Sequence, residues 1–166
     1  MSGLEINWED TDSIVAGTTG PQGRRIFYLQ ARRINDLISL KLEKQQVAGL
    51  AEFLNRMLDD LPPSDTESED LLSLDDSFIE PGEPAWVVGS LGVTYQQSND
   101  RIILFAEELL RDEEDIPAQA RFPLNRQQVA ALIAQARNLV DAGRPPCPWC
   151  EAPLESNNEG WCPCAN

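Results

Sequence analysis

The 166-residue chain carries 28 Asp and Glu against 13 Lys and Arg, a formal charge of −15, with 42% hydrophobic residues. This composition suits one compact body with one core, and so acidic a chain is a poor match for sequence-independent nucleic-acid binding, which draws its affinity from neutralised phosphates. No apolar run approaches the roughly 18 residues of a membrane span, and the opening MSGLEINWED lacks the basic and apolar regions of an export signal, so the expected compartment is the cytoplasm.

In chain order, Leu4, Ile6 and Trp8 alternate, which leaves either a short edge strand or a frayed end. Residues 13–18 read as a strand and 19–23 (TGPQG) as the turn into a second strand, 25–31, with Phe27, Leu29 and Ala31 on one face. The same loop, GTTGPQGRR, mixes glycines, hydroxyls and arginines as a phosphate cradle does. It has no Walker lysine and leads into no helix, so the hairpin turn is the preferred reading. Asn35 and Asp36 mark the next turn, and residues 37–42 a third strand with Ile38, Leu40 and Leu42 inward. A helix follows from Lys44, with Val47, Leu50, Ala51, Leu54 and Leu58 as its buried stripe and Phe53, Met57 and Leu61 widening it.

Residues 62–84 form an acidic, Ser- and Pro-rich linker whose apolar residues, among them Phe78 and Ile79, make a small clip to the body. From Met57 to Asp100 there is no Lys or Arg, and eleven carboxylates lie in that span. A second unit opens at residue 85 with strands at 85–95, 101–106 and 120–124. It ends in a helix with Asn125 as N-cap, Gln128 completing a capping box and Gly143 at the C-cap. Val129, Leu132, Ile133, Ala136, Leu139 and Val140 form its buried face.

The two helices echo one another. Residues 42–59 and 124–141 agree at Leu42/Leu124, Gln45/Gln127, Gln46/Gln128, Val47/Val129, Ala48/Ala130, Leu50/Leu132 and Asp59/Asp141, and double prolines follow each at 62–63 and 145–146. In the strands, Val15, Gly17 and Gly20 are echoed by Val87, Gly89 and Gly92, and Arg25-Ile26 by Arg101-Ile102. The expected fold is therefore α+β: a duplicated strand-strand-strand-helix unit with antiparallel sheet or sheets and two packed helices. The body spans residues 1–143, with unit one at 12–61, the acidic linker at 62–84 and unit two at 85–143; a cysteine-rich tail occupies 144–166.

All four cysteines lie in that tail, as Cys147-Pro148-Trp149-Cys150 and Cys162-Pro163-Cys164. A CPxC turn aims backbone N–H groups at its thiolates, and the two cysteine pairs together give a closed, four-cysteine zinc knuckle holding one structural Zn2+. A disulfide pair is disfavoured without export. A redox CxxC remains as the competing reading, although such motifs normally open a helix and prolines flank this one. A closed four-thiolate site activates no water, and the chain has no histidine to serve as a general base.

These stretches carry a resemblance. Residues 15–20, the phrase Phe27-Tyr28-Leu29-Gln30-Ala31-Arg32, residues 42–47 (LEKQQV), Val88-Gly89 and residues 143–150 (GRPPCPWC) resemble an uncharacterised bacterial family grouped as a domain of unknown function. That family's tail pattern is CPxC followed by His-x-Cys-Pro-Arg-x-Asn. Cys147, Cys150 and Cys162 match it, while Gly160 stands at its His and Cys164 at its Arg. If the His is a ligand in the family, Cys164 replaces it from the other side of Cys162. The resemblance implies no activity or substrate.

The expected function is that of a non-enzymatic cytoplasmic binding or adaptor protein with a structural zinc site and a protein partner. The alternative is a nucleic-acid-binding protein using the knuckle and the basic segment 24–44, which holds Arg24, Arg25, Arg32, Arg33, Lys41 and Lys44. An enzyme would require a pocket of converging polar groups.

Overall fold

The computed structural model describes residues 5–21, 23–63, 77–113 and 115–142. Within them the order is β1 (Glu5–Asn7), β2 (Ser13–Thr19), β3 (Ile26–Arg33), β4 (Asp36–Leu42), α1 (Lys44–Asp60), β5 (Trp86–Gln96), a 3-10 turn (Gln97–Asn99), β6 (Arg101–Glu108), β7 (Gln119–Leu124) and α2 (Arg126–Ala142). Three strands and a helix thus occur twice, and β1 is the short strand that the alternation of Ile6 and Trp8 allowed.

Each three-strand set is an antiparallel meander, as expected, but the sheet as a whole is mixed. All seven strands join in the order β1-β7-β6-β5-β4-β3-β2. β4 pairs with β5 in parallel through Leu40–Trp86 and Lys41–Val87, and β1 pairs with β7 in parallel through residues 5–7 and 119–121. The purely antiparallel expectation is corrected for a topological reason. A meander of three strands followed by a helix returns the chain to the end where it began, so the next strand must run parallel to the last.

The sheet is strongly curled. Asn7 and Ser13 lie on the two terminal strands of the order, which a flat sheet would hold about 29 Å apart at ~4.8 Å per strand. The segment between them spans at most about 20 Å when fully extended. α2 lies in the resulting trough, packed on α1 and β2. Both helices cover the concave face, where Leu29, Leu40, Leu54, Ile102, Leu104, Phe122, Leu124, Val129 and Leu132 are almost wholly buried. Phe53 departs from the expected stripe: it is 63% exposed, because the wide flank of α1 faces solvent and not the sheet.

The helix starts share one device. The Gln46 amide oxygen accepts from the Glu43 N–H (2.8 Å), and that of Gln128 from the Asn125 N–H (2.9 Å). Each amide nitrogen then reaches toward the opposite meander: Gln46 donates to the Val88 carbonyl of β5 (3.1 Å), and Gln128 to the Thr11 carbonyl just before β2 (2.7 Å). One side chain therefore caps its helix and ties it to the chain of the other half.

The ladders revise the strand echoes. From Leu42 they run to Phe27 and Thr18, and from Leu124 to Ile102 and Tyr95. Thr18 thus matches Tyr95, so the Val-x-Gly-x-x-Gly and Arg-Ile echoes fall out of register. The parallel junctions supply a better match. Trp86 pairs with Leu40, and Trp8 follows Asn7 into the place opposite Phe122, the counterpart of Leu40; the Trp8 and Phe122 rings meet edge to face at 5.3 Å.

On the convex face the end of the linker is tied down where an apolar clip was expected. The amide of buried Gln30 donates to the Ile79 carbonyl (2.8 Å) and accepts from the Ile79 N–H (3.0 Å), as a neighbouring strand would. The Phe78 ring lies 6.1 Å from that of Tyr28 and over Gly17, where any Cβ would enter the ring.

A candidate partner-binding groove

Three segments converge at one end of the sheet: β1 with Trp8, the start of β4 with its preceding turn, and the strap 79–85 held by Gln30. They enclose an open groove of about 850 Å³. Ile6, Trp8, Leu37, Ile38 and Ile79 give it an apolar lining, and Glu5, Asp36, Glu80 and Glu83 place four carboxylates around it. None of the four enters an ion pair among the described residues. Leu37 and Ile79 are about half exposed, and the adjoining Ile34 is 81% exposed at a backbone φ of 57°. β1 is the last strand in the order, and among the described residues no strand lies along its outer edge. The groove combines apolar surface, negative charge and the edge of a sheet, which suits recognition of a chain segment.

In sequence, Glu80 and Glu83 read only as part of an acidic linker and Asp36 only as a turn residue. The available signal was the Ile6/Trp8 alternation; the convergence of the three segments rests on long-range pairing that no local pattern reports.

A second polar cluster lies at the β5–β6 turn. Arg126 donates from Nε and Nη2 to the Asp100 carboxylate (2.9–3.2 Å), and the Tyr95 hydroxyl donates to the same group at 2.7 Å. The Arg126 hydrogen bonds, and then that from Tyr95, hold the Asp100 carboxyl below its ordinary range. The bond to Asp100, aided by burial, pushes the Tyr95 phenol up, and the Arg126 guanidinium is raised by the same carboxylate. Arg126 Nη2 also donates to the Pro62 carbonyl (2.7 Å). The cluster ties the start of α2 to the turn and to the chain after α1, a structural role.

The basic segment does not form one patch. Arg24, Arg25, Lys41 and Lys44 fall near the β2–β3 turn and the start of α1, whereas Arg32 and Arg33 end β3, about 20 Å along the strand. Arg25 is occupied in part by the Leu139 carbonyl (3.3 Å). The expected zinc ligands Cys147, Cys150, Cys162 and Cys164 lie outside the described residues. Among the described residues no three metal-binding side chains gather, and no helix is long and apolar enough to cross a membrane.

Fold and groove together define an α+β protein built on one curled, mixed seven-stranded sheet under two helices. The family described as "Protein of unknown function (DUF3090)" matches residues 6–162, and the chain belongs to it. The match takes in Cys147, Cys150 and Cys162 and stops short of Cys164. No curated protein and no solved structure shows significant similarity to the chain.

Proposed function

We propose that this protein is a cytoplasmic, non-enzymatic binding or adaptor protein, with one structural Zn2+ held by Cys147, Cys150, Cys162 and Cys164 in the tail 144–166. The observation that carries the binding reading is the groove beside β1, where apolar side chains and four carboxylates, in no ion pair among the described residues, surround the edge of the last described strand of the sheet. The zinc reading rests on the donor set itself: four thiols in two closely spaced pairs, in a chain with no other cysteine. We also infer that the two meander-helix units are copies of one ancestral piece. The matched helices, the paired Gln46/Gln128 devices and the corresponding Trp8 and Trp86 support this.

Two measurements on the full chain purified from cells test the proposal. The first is metal content with thiol reactivity: one zinc per chain and four thiols silent until chelation are expected, and a metal-free protein with freely reactive thiols would overturn the zinc site. The second is in-cell crosslinking from a photoreactive residue at position 37, on the groove rim. Recovery of a specific protein partner is expected; recovery of nucleic acid would favour the alternative reading, for which the four basic residues near the β2–β3 turn are the structural support. That alternative requires an affinity falling steeply with salt.

A further inference from the structure

We propose that the groove beside β1 takes an extended peptide in which Lys or Arg alternates with Val, Ile or Leu. This inference rests on the binding reading above and names the chemistry of the partner.

The groove offers two unlike surfaces along one short edge. Ile6, Trp8 and Ile38 form an apolar floor, and Glu5, Asp36, Glu80 and Glu83 stand around it without cationic partners among the described residues. An extended chain alternates its side chains between two faces with a period of two. One face of such a chain covers the apolar floor, while the other presents cations to the carboxylates. Four negative charges gathered around one groove repel each other, and a basic ligand relieves that repulsion where a neutral or acidic one does not. The main chain of the ligand continues the sheet from β1, whose outer edge has no strand among the described residues.

This protein already binds an extended segment in a related way. Gln30 pairs with both backbone groups of Ile79 while Phe78 fills the notch above Gly17. That clamp fixes the strap, and with it Glu80 and Glu83, as one wall of the groove. The wall is therefore built in place before a ligand arrives, which limits the ordering cost of binding.

The test uses the intact, metal-loaded chain as bait for a displayed library of random ten-residue peptides. The double variant Glu80→Lys/Glu83→Lys is the counter-selection, since both residues are on an exposed loop and neither supports the core. Enriched sequences should alternate basic and aliphatic residues. As synthetic peptides they should bind the variant at least tenfold more weakly than the parent, and weaken again as salt rises from 50 to 300 mM, with circular dichroism of the two proteins superimposable. Enrichment of acidic or uncharged sequences, binding indifferent to the double substitution, or no enrichment at all overturns the inference. So does dimerisation of the chain through this face, seen by sedimentation and abolished by the same substitutions. A crosslinked partner that still binds the double variant sinks the peptide assignment and leaves the broader binding reading standing.

Discussion

Ile34 holds a φ of 57°, a left-handed conformation that crowds a β-branched side chain, and its side chain lies almost entirely in solvent. Its N–H is fixed by the Asp12 carboxylate at 2.6 Å. The strain costs about 1–2 kcal/mol, and asparagine tolerates the conformation better. Ile34→Asn should therefore stabilise the protein by about 1 kcal/mol, read as a rise of a few degrees in Tm; a fall would show that the isoleucine makes a contact of its own. Asp100 gives a pH-dependent counterpart. Its carboxyl is held down by Arg126 and Tyr95, so its contribution is complete above the ordinary carboxylate range and disappears as pH falls through the lowered folded-state value. Asp100→Asn should flatten that acid limb in a melting series, by a modest amount because the carboxylate is partly screened by water. Sequence alone left Asp100 in the gap between strands 85–95 and 101–106, where a turn is found, but a turn position says nothing of an arginine 26 positions later.

At the scale of elements, the capping glutamines should separate two effects. Gln46→Ala removes a cap bond and one tie to β5, at an expected cost of about 1 kcal/mol. Gln128→Ala strands the buried Thr11 carbonyl as well as losing the cap, and should cost about 2–3 kcal/mol. Chemical denaturation of the two variants checks the order. The strap gives a local version of the same test. Gln30→Leu removes both bonds to Ile79, and hydrogen exchange of the Ile79 amide should quicken by roughly tenfold. Helices were the most legible elements, since a stripe at 3.6-residue spacing and an Asn cap such as Asn125 are written locally. The strands were legible as segments to within a residue or two at most ends. Their pairing within each meander was legible too, but the parallel junctions were not: these join Leu40 to Trp86 and Ile6 to Ala120. The glycine echo falls out of register with the ladders, whereas Trp8 and Trp86 occupy matching places, beside Phe122 and Leu40.

For the whole molecule, the core among the described residues is made chiefly by the sheet and the two helices. Chelation of the proposed zinc should accordingly leave most of the helical circular dichroism intact while exposing the tail thiols to alkylation. Loss of the body's cooperative melt on chelation would make the metal integral to the core. Beyond the Ile6/Trp8 alternation the groove was not legible from sequence, because its three walls come from residues 5–8, 35–39 and 79–85 and are brought together by the curl of the sheet. The basic segment shows the converse: a cluster in sequence that the β3 strand pulls apart to its two ends.

The pairing of β1 with β7 has a consequence for biogenesis. Its two strands are separated by more than 110 residues, so at about 5–20 residues per second the ribosome delivers the second on the order of ten seconds after the first. Throughout that interval Ile6 and Trp8 of the nascent chain have no ladder to join, and chaperones meet them as bare apolar surface. Burial of the Trp8 indole against Phe122 is thus a late event that waits for β7.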